Sequence, residues 1–277
     1  MLVRDKYRIV QELGRGQFGR VYQALTLPRG PQVAIKFDVS TTRVLKHEVT
    51  ILNYLHLRGC LGRVPKIIWY GLAAWAEGAA PHPCVVLPYY DRSLRQVLET
   101  AGLDPVQRTA WMEDILATMG EVHDRLVIHR DIKPDNFMIR GDRIYLIDFG
   151  LATFYVDGNT GQHLPPHDPP KTEMMGSPVY TSIHVHQGCR VARRDDMIQL
   201  GYVFLAMYWE GRLPWQGIAP TSASTPYTLQ DIRHPLNQER YRHKIRVTEN
   251  PRFPPELRDY FTRVYRLGYL EEPSYIL

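Results

Sequence analysis

His129-Arg130-Asp131-Ile132-Lys133-Pro134-Asp135-Asn136 is followed, after a short interval, by Asp148-Phe149-Gly150. The apolar run Ile144-Tyr145-Leu146-Ile147 leads into the second piece and reads as a strand. Two acids, Asp131 and Asp148, and one amide, Asn136, thus sit at the ends of short apolar runs. Oxygen ligands of this kind suit magnesium, and one carboxylate can take a proton from an attacking hydroxyl. Either piece alone is also an ordinary Asp- and Asn-rich surface turn. The two in this order, behind two further motifs upstream, are not.

The first upstream motif is Gly14-Arg15-Gly16-Gln17-Phe18-Gly19-Arg20-Val21, a G-x-G-x-x-G-x-V pattern. Glycines let a backbone approach phosphate oxygens and offer them amide N–H groups. On its own the pattern is equally a hairpin turn. It sits between two strand patterns with no helix behind it, which argues against a dinucleotide fingerprint. The second motif is Val33-Ala34-Ile35-Lys36. Lys36 is either an edge charge in water or a cation turned inward, and the latter needs a partner. Glu48, twelve residues further on, is such a partner unless it lies on a solvated helix face.

Around these motifs the first eighty or so residues read mostly as strands. Tyr7 to Leu13, Gly19 to Ala24 and Val33 to Phe37 are strand candidates, with Pro28-Arg29-Gly30-Pro31 as a turn between the last two. Ile67 to Tyr70 and Val85 to Leu87 complete them, with a loop from Ala73 to Pro83. One helix interrupts the strands, with Val44, His47, Ile51, Leu52 and Leu55 at three- and four-residue steps. Past Asp91 the pattern turns helical. Asp104-Pro105 is an N-cap followed by proline at the first helical position, opening a helix to about Leu126. Its apolar side is read as Val106, Ala110, Ile115, Met119 and Val122. Asp195 to Trp209 is apolar nearly all round and is expected to be buried. Ala219 to Thr228 reads as a surface loop, and a last helix spans Pro255 to Leu267.

The 277 residues, 44% hydrophobic and 23% charged, suffice for a sizeable core and exclude whole-chain disorder, collagen and coiled coil. A formal charge of +5 is mild for this length, so no nucleic-acid partner is expected. The three cysteines, Cys60, Cys84 and Cys189, fit neither a disulfide framework nor a metal spacing, and read as reduced thiols. Neither a signal core nor a run of about 18 apolar residues is seen, which predicts no membrane span. A cytoplasmic location follows, with the nucleus open as well. His163, His167, His184 and His186 fit no common zinc pattern and read as structural.

Taken in order, the glycine loop, strand lysine, His-Arg-Asp loop and Asp-Phe-Gly turn resemble the protein kinases. The form His129 to Asn136 is similar to that of serine/threonine kinases. The resemblance narrows to the casein kinase I family through Gly176-Ser177-Pro178-Val179-Tyr180-Thr181-Ser182-Ile183-His184, Arg193-Arg194-Asp195-Asp196, Leu200-Gly201-Tyr202, Leu213-Pro214-Trp215-Gln216-Gly217 and Glu272-Pro273-Ser274-Tyr275-Ile276. It covers nearly the whole chain. It implies an α+β, bilobal kinase fold, with a β-rich N-lobe over 1–87, a hinge at 88–91 and a mostly helical C-lobe over 92–277. It also implies ATP and Mg2+ as cofactors, protein substrates with Ser or Thr acceptors, and a monomer.

Site residues follow from the same resemblance. Asp131, Lys133 and Asn136 are the catalytic positions, Asp131 toward the substrate hydroxyl and Lys133 toward the transferred phosphate. Leu13, Gly14, Gly16, Gly19, Val21, Ala34, Lys36, Glu48, Leu87 and Tyr90 are the ATP-binding positions, with Leu87 as gatekeeper and the Tyr90 backbone toward the adenine. Asn136 and Asp148 are the metal positions, and Asp196 anchors the catalytic loop through backbone amides.

Two departures matter. The family carries an arginine where this chain has Val179, and lysines follow its Leu-Pro-Trp-Gln-Gly motif where this chain has the uncharged Ala219 to Pro226. Those groups bind an anion upstream of the target residue, so a preference for phosphorylated or acidic substrates is in question. Arg233, Arg240, Arg242, Lys244 and Arg246 lie further on and read as an exposed helix face. A scaffold without catalysis, or a small-molecule kinase of the aminoglycoside type, would share part of this pattern. The intact acids and the Ser182-Ile183-His184 and Arg193 to Asp196 segments argue against them.

Overall fold

A computed structural model of the chain describes every residue except 17–18, 40–43, 61, 101 and 219–230. The expectations for Ala219 to Thr228 therefore lie outside the described residues. The chain divides into two compact units: residues 1–92 with 138–150, and residues 93–137 with 151–277. Residues 138–150, read from sequence as part of the second lobe, go with the first unit.

In the first unit, strands β1 (Leu2–Val3), β2 (Tyr7–Gly16), β3 (Gly19–Thr26), β4 (Gln32–Asp38), β5 (Trp69–Ala73) and β6 (His82–Pro88) form one antiparallel sheet in the order β1-β2-β3-β4-β6-β5. Successive side chains of a strand point to opposite faces, which divides β4 in two. Val33, Ile35 and Phe37 are buried with Tyr22, Ala24, Cys84 and Val86. Ala34 and Lys36 therefore face the other way. The register sets Lys36 between Val21 and Val85, and Ala34 between Gln23 and Leu87. Helix α1 (Val44–Leu57) packs on this second face, with Leu45 and Val49 against Val85 and Leu87. Its buried side is Leu45, Glu48, Val49, Ile51, Leu52 and Leu55. His47, expected on that side, is exposed. The sheet takes an arc that includes the charged Glu48, so hydropathy alone misplaced the stripe.

In the second unit, Asp104 caps helix α3 (Pro105–Asp124), which follows α2 (Leu94–Thr100), by accepting from the Val106 and Gln107 amides at 2.9 and 3.0 Å. The inward side of α3 is Trp111, Met112, Ile115, Leu116, Met119 and Val122, while Val106 is 80% exposed and Ala110 is exposed too. The stripe begins one turn later than the pattern indicated. Helix α4 (Arg193–Tyr208) is buried without interruption from Asp195 to Met207, as its all-round apolar middle predicts. Helices α5 (Pro235–Ile245) and α6 (Arg258–Arg266) follow, α6 packing on α4 through Tyr260 and Phe261. None of Cys60, Cys84 and Cys189 is in a disulfide.

Candidate active site

The first unit holds the lysine. Because Lys36 and α1 share one face of the sheet, Glu48 reaches it: Nζ is 2.8 Å from Glu48 Oε2 and 2.9 Å from Asp148 Oδ1. The Glu48 side chain is 2% exposed and that of Lys36 20%. Burial opposes a charge on Lys36, but the two carboxylates outweigh it and raise its pKa above the ordinary lysine value. Both expectations for a solvated residue thus fail, and the inward pair is the arrangement found. Asp148 itself has a left-handed backbone, φ 62°. Non-glycine residues are held there only where their surroundings over-determine the geometry.

The neighbouring ATP-binding candidates fall on the same sheet. Val21 pairs across the strands with Gly14 on one side and Lys36 on the other, and Ala34 pairs with Leu87. Leu13 is exposed, and a Cβ added at Gly14 would meet no atom within 4 Å. Gly16 pairs with Gly19. Gly19 is a glycine for a reason other than phosphate: a Cβ there would lie 1.9 Å from the Phe37 carbonyl oxygen. The Tyr90 side chain is buried, its ring 4.8 Å from that of Tyr145.

The second unit holds the acid. Asp131 Oδ2 accepts from Lys133 Nζ at 2.6 Å and Asn136 Nδ2 at 3.2 Å, and Oδ1 accepts from the Ser177 amide at 3.1 Å. Asn136 Nδ2 also donates to the Asp131 carbonyl at 2.8 Å. Both Asn136 donations leave through the nitrogen, so its carbonyl oxygen Oδ1 stays available as a hard ligand of the kind magnesium takes. The turn Pro134–Asn136 is held by an ion pair of Arg95 with Asp135 at 2.6 Å.

The loop is carried on α4. Asp196 accepts from the His129 amide at 2.7 Å and the Arg130 amide at 2.9 Å. Burial would raise its pKa, but hydrogen bonds from the His123 ring and the His129 amide outweigh that and hold it below the usual carboxylate value. Gln199, one turn along, accepts from the Ile132 amide at 2.8 Å. Arg130 is left-handed at φ 70°, and its Nε donates to the Leu151 carbonyl at 2.6 Å.

A protein kinase domain model matches residues 7–264. The chain belongs to the protein kinase family. It is 33% identical over 229 residues to casein kinase I homolog 1 of Schizosaccharomyces pombe, covering 80% of this chain and 49% of that protein. It is 30% identical over 281 residues to casein kinase I homolog 2 of the same organism, covering 97% of this chain and 60% of that protein. The chain thus spans about half to three fifths of these curated relatives. A solved structure of vaccinia related kinase 3 superposes with a TM-score of 0.71 at 20% identity, covering 97% of this chain and 83% of that one. That likeness shows the bilobal kinase fold. The narrower resemblance to casein kinase I kinases is matched by the two yeast relatives.

Sequence reasoning missed several members of this kinase site. Gln199, which holds the Ile132 amide, lies in a helix whose apolar pattern gives it no mark. His123 bridges Asp196 Oδ2 at 3.1 Å and the Tyr275 hydroxyl at 2.9 Å, and nothing in its local sequence marks it. The basic run was misread. Arg233, Arg242 and Arg246 are exposed, but Arg240 is 5% and Lys244 0% exposed. Arg240 donates to Asn237 Oδ1 at 2.8 Å and to the Ile218 carbonyl. Of the histidines, His163 Nδ1 bonds the Leu164 carbonyl, His167 Nδ1 accepts from Arg190, and His186 Nε2 lies 3.0 Å from Lys244 Nζ. Among the described residues no three His, Cys, Asp or Glu side chains gather as a metal cluster.

Proposed function

We propose that this chain transfers the γ-phosphate of ATP to serine and threonine hydroxyls of protein substrates. The observation that carries the reading is the Asp131 carboxylate, oriented by Lys133, Asn136 and the Ser177 amide. Such a carboxylate orients a hydroxyl and takes its proton as the oxygen attacks phosphorus. Lys133, already beside it, neutralises the transferred phosphate. Lys36, kept charged and fixed by Glu48, holds the α- and β-phosphates. Asn136 and Asp148 offer the oxygens that would hold magnesium, which when bound neutralises charge on the phosphates. Positioning and charge neutralisation supply most of the acceleration in such chemistry.

The same reading includes a weakened preference for substrates already phosphorylated. Val179 supports it, since a valine cannot bind an anion, and so does the burial of Arg240 and Lys244 against protein acceptors.

The test is transfer of labelled γ-phosphate from ATP with magnesium to casein and to a degenerate peptide library. Asp131→Asn should keep nucleotide affinity and lose roughly 10²–10⁴-fold in turnover, the usual contribution of a positioned acid or base. Turnover within about tenfold of the parent would remove Asp131 from the chemistry. A chain that binds ATP and labels no acceptor is a scaffold.

A further inference from the structure

Lys244 lies on α5, yet none of its surface reaches solvent. Buried lysines are rare without a carboxylate, and no ion pair accompanies this one among the described residues. Its Nζ instead donates to the carbonyl oxygens of Pro178 at 2.9 Å and Thr181 at 2.7 Å, and lies 3.0 Å from His186 Nε2. An ammonium group has three protons, and three acceptors surround it. Burial pushes the His186 pKa down to about 2, with Lys244 and Arg240 adding to the effect, so its ring is neutral and Nε2 is free to accept. Two aromatic rings, Tyr202 at 5.3 Å and Trp215 at 5.8 Å, add faces of the sign a cation prefers. Burial draws the Lys244 pKa well down, with Arg240 adding to it.

All three Lys244 acceptors belong to one stretch of chain, residues 178–186. Trp215 adds a fourth tie to it, its Nε1 donating to the Val179 carbonyl at 2.7 Å. The carbonyls of Pro178, Val179 and Thr181 are thus held by two buried side chains from elsewhere in the unit. Ser182, next in line, donates to the buried Asp195. At its other end the stretch meets the acid directly. The Ser177 amide donates to Asp131 Oδ1 at 3.1 Å, and Gly176 crosses so near the Arg130 carbonyl that a Cβ would sit 2.7 Å away. Lys244 also fixes itself to α6, where the Tyr265 hydroxyl donates to its carbonyl at 2.8 Å.

We propose that Lys244 is a positioning residue for phosphotransfer: its buried ammonium clamps residues 178–181, and through the Ser177 amide sets the Asp131 carboxylate against the acceptor hydroxyl. The inference rests on the kinase reading given above. In this arrangement residues 178–181 are held by an internal cation instead of by an added phosphate or an ion pair. Lys244 is wholly buried, so its side chain is closed to substrate and nucleotide alike. Its removal therefore falls on the acceptor side of the reaction and spares nucleotide binding.

The experiment compares the parent with Lys244→Met, which keeps the length and apolar stem and loses all three donors. Three quantities are measured: ATP affinity with magnesium, kcat/KM for an acceptor peptide, and the melting temperature. Misplacement of a reacting group by about 1 Å costs on the order of 10²-fold, so peptide kcat/KM should fall roughly 10- to 100-fold. ATP affinity should stay within about twofold, which a merely loosened fold would not give. Lys244→Gln, with two donors left, should fall between the two. Peptide kcat/KM within about threefold of the parent in folded Lys244→Met overturns the proposal, and so does a parallel loss of ATP affinity. Should Lys244→Met fail to fold, Trp215→Phe decides by the same criteria, since it deletes the tie to Val179 and keeps the ring. A parent that labels no peptide overturns the kinase reading and this inference with it; a working parent beside an equally active Lys244→Met overturns this inference alone.

Discussion

Lys36 and Glu48 meet at 2.8 Å, the carboxylate almost wholly excluded from water. Removing one partner of a buried pair leaves the other uncompensated, a loss of roughly 3–5 kcal/mol. Lys36→Met should therefore cost both stability and turnover. Adding Glu48→Gln removes the stranded charge. The double variant should regain much of the melting temperature while turnover stays at least about 10²-fold down, as expected where a charge that stabilises the phosphates is gone. Recovery of turnover along with stability would mean that Lys36 acts only on the fold.

Asp196 offers a test in which pH supplies the sign. Its native pKa lies below the usual carboxylate value, so its stabilisation is fully present above the unfolded value of about 4 and lost as pH falls through the lower native one. Asp196→Asn lacks this contribution. The gap in melting temperature between parent and variant should be constant from pH 5 to 8 and narrow below about pH 4. A gap that widens on acidification would show that the carboxylate is not the ionised acceptor of the His129 and Arg130 amides.

Activity should not require phosphorylation of residues 151–175. Between Leu151 and Met175 the only Lys or Arg is Lys171, so a phosphate there has few local partners. Arg130, the nearby guanidinium, already donates to the Leu151 carbonyl at 2.6 Å and to Met175 Sδ at 3.5 Å. Thr172 is exposed, and the Thr160 hydroxyl is spent on Asp157 Oδ1 at 3.1 Å. Phosphatase-treated protein should keep its turnover. A large loss on treatment, reproduced by Thr172→Ala, would overturn this expectation.

The fold was legible because two periodicities carry it. Alternation in Val33 to Phe37 marks which face Lys36 takes, and the all-round apolar middle of α4 marks a central helix. The acids were legible through order and spacing. Glu48 became legible only jointly with Lys36, since a lone glutamate on a helix is ordinarily solvated. What escaped is what the backbone of one segment does for the side chain of another. Lys244 sits on a helix with scarcely an apolar residue, so nothing in its own pattern points inward. Its partners are carbonyls at 178 and 181, which every sequence has. Gln199 and His123 escaped for the same reason: their partners are an amide and distant side chains.

Substrate choice is where this chain departs most from the kinases it resembles, and the structure narrows the candidates for an anion site. Arg240 and Lys244 are buried on protein acceptors, and Arg233 pairs with Asp231 at 3.1 Å. Arg242 and Arg246 line an open groove that also holds Glu239 and Glu249, so its field is mixed in sign. The Val179 side chain carries no polar atom, and its carbonyl is taken by Trp215. Hydrogen bonds to a charged group contribute about 1.5–3 kcal/mol, and each 1.4 kcal/mol is about tenfold. On the reading proposed above, loss of the family's arginine should remove most of a ten- to hundredfold preference. A peptide with phosphoserine three residues before the target should exceed its unphosphorylated twin by less than about tenfold in kcat/KM at low salt, where charge effects are largest. Val179→Arg should raise that ratio while leaving the unphosphorylated peptide near its parent rate, because the tie from Trp215 is to the backbone and survives the change. A ratio already well above tenfold in the parent would assign the anion to Arg242 or Arg246, which Arg242→Gln and Arg246→Gln would then lower. A Val179→Arg ratio equal to the parent's would show that the missing arginine is not the cause.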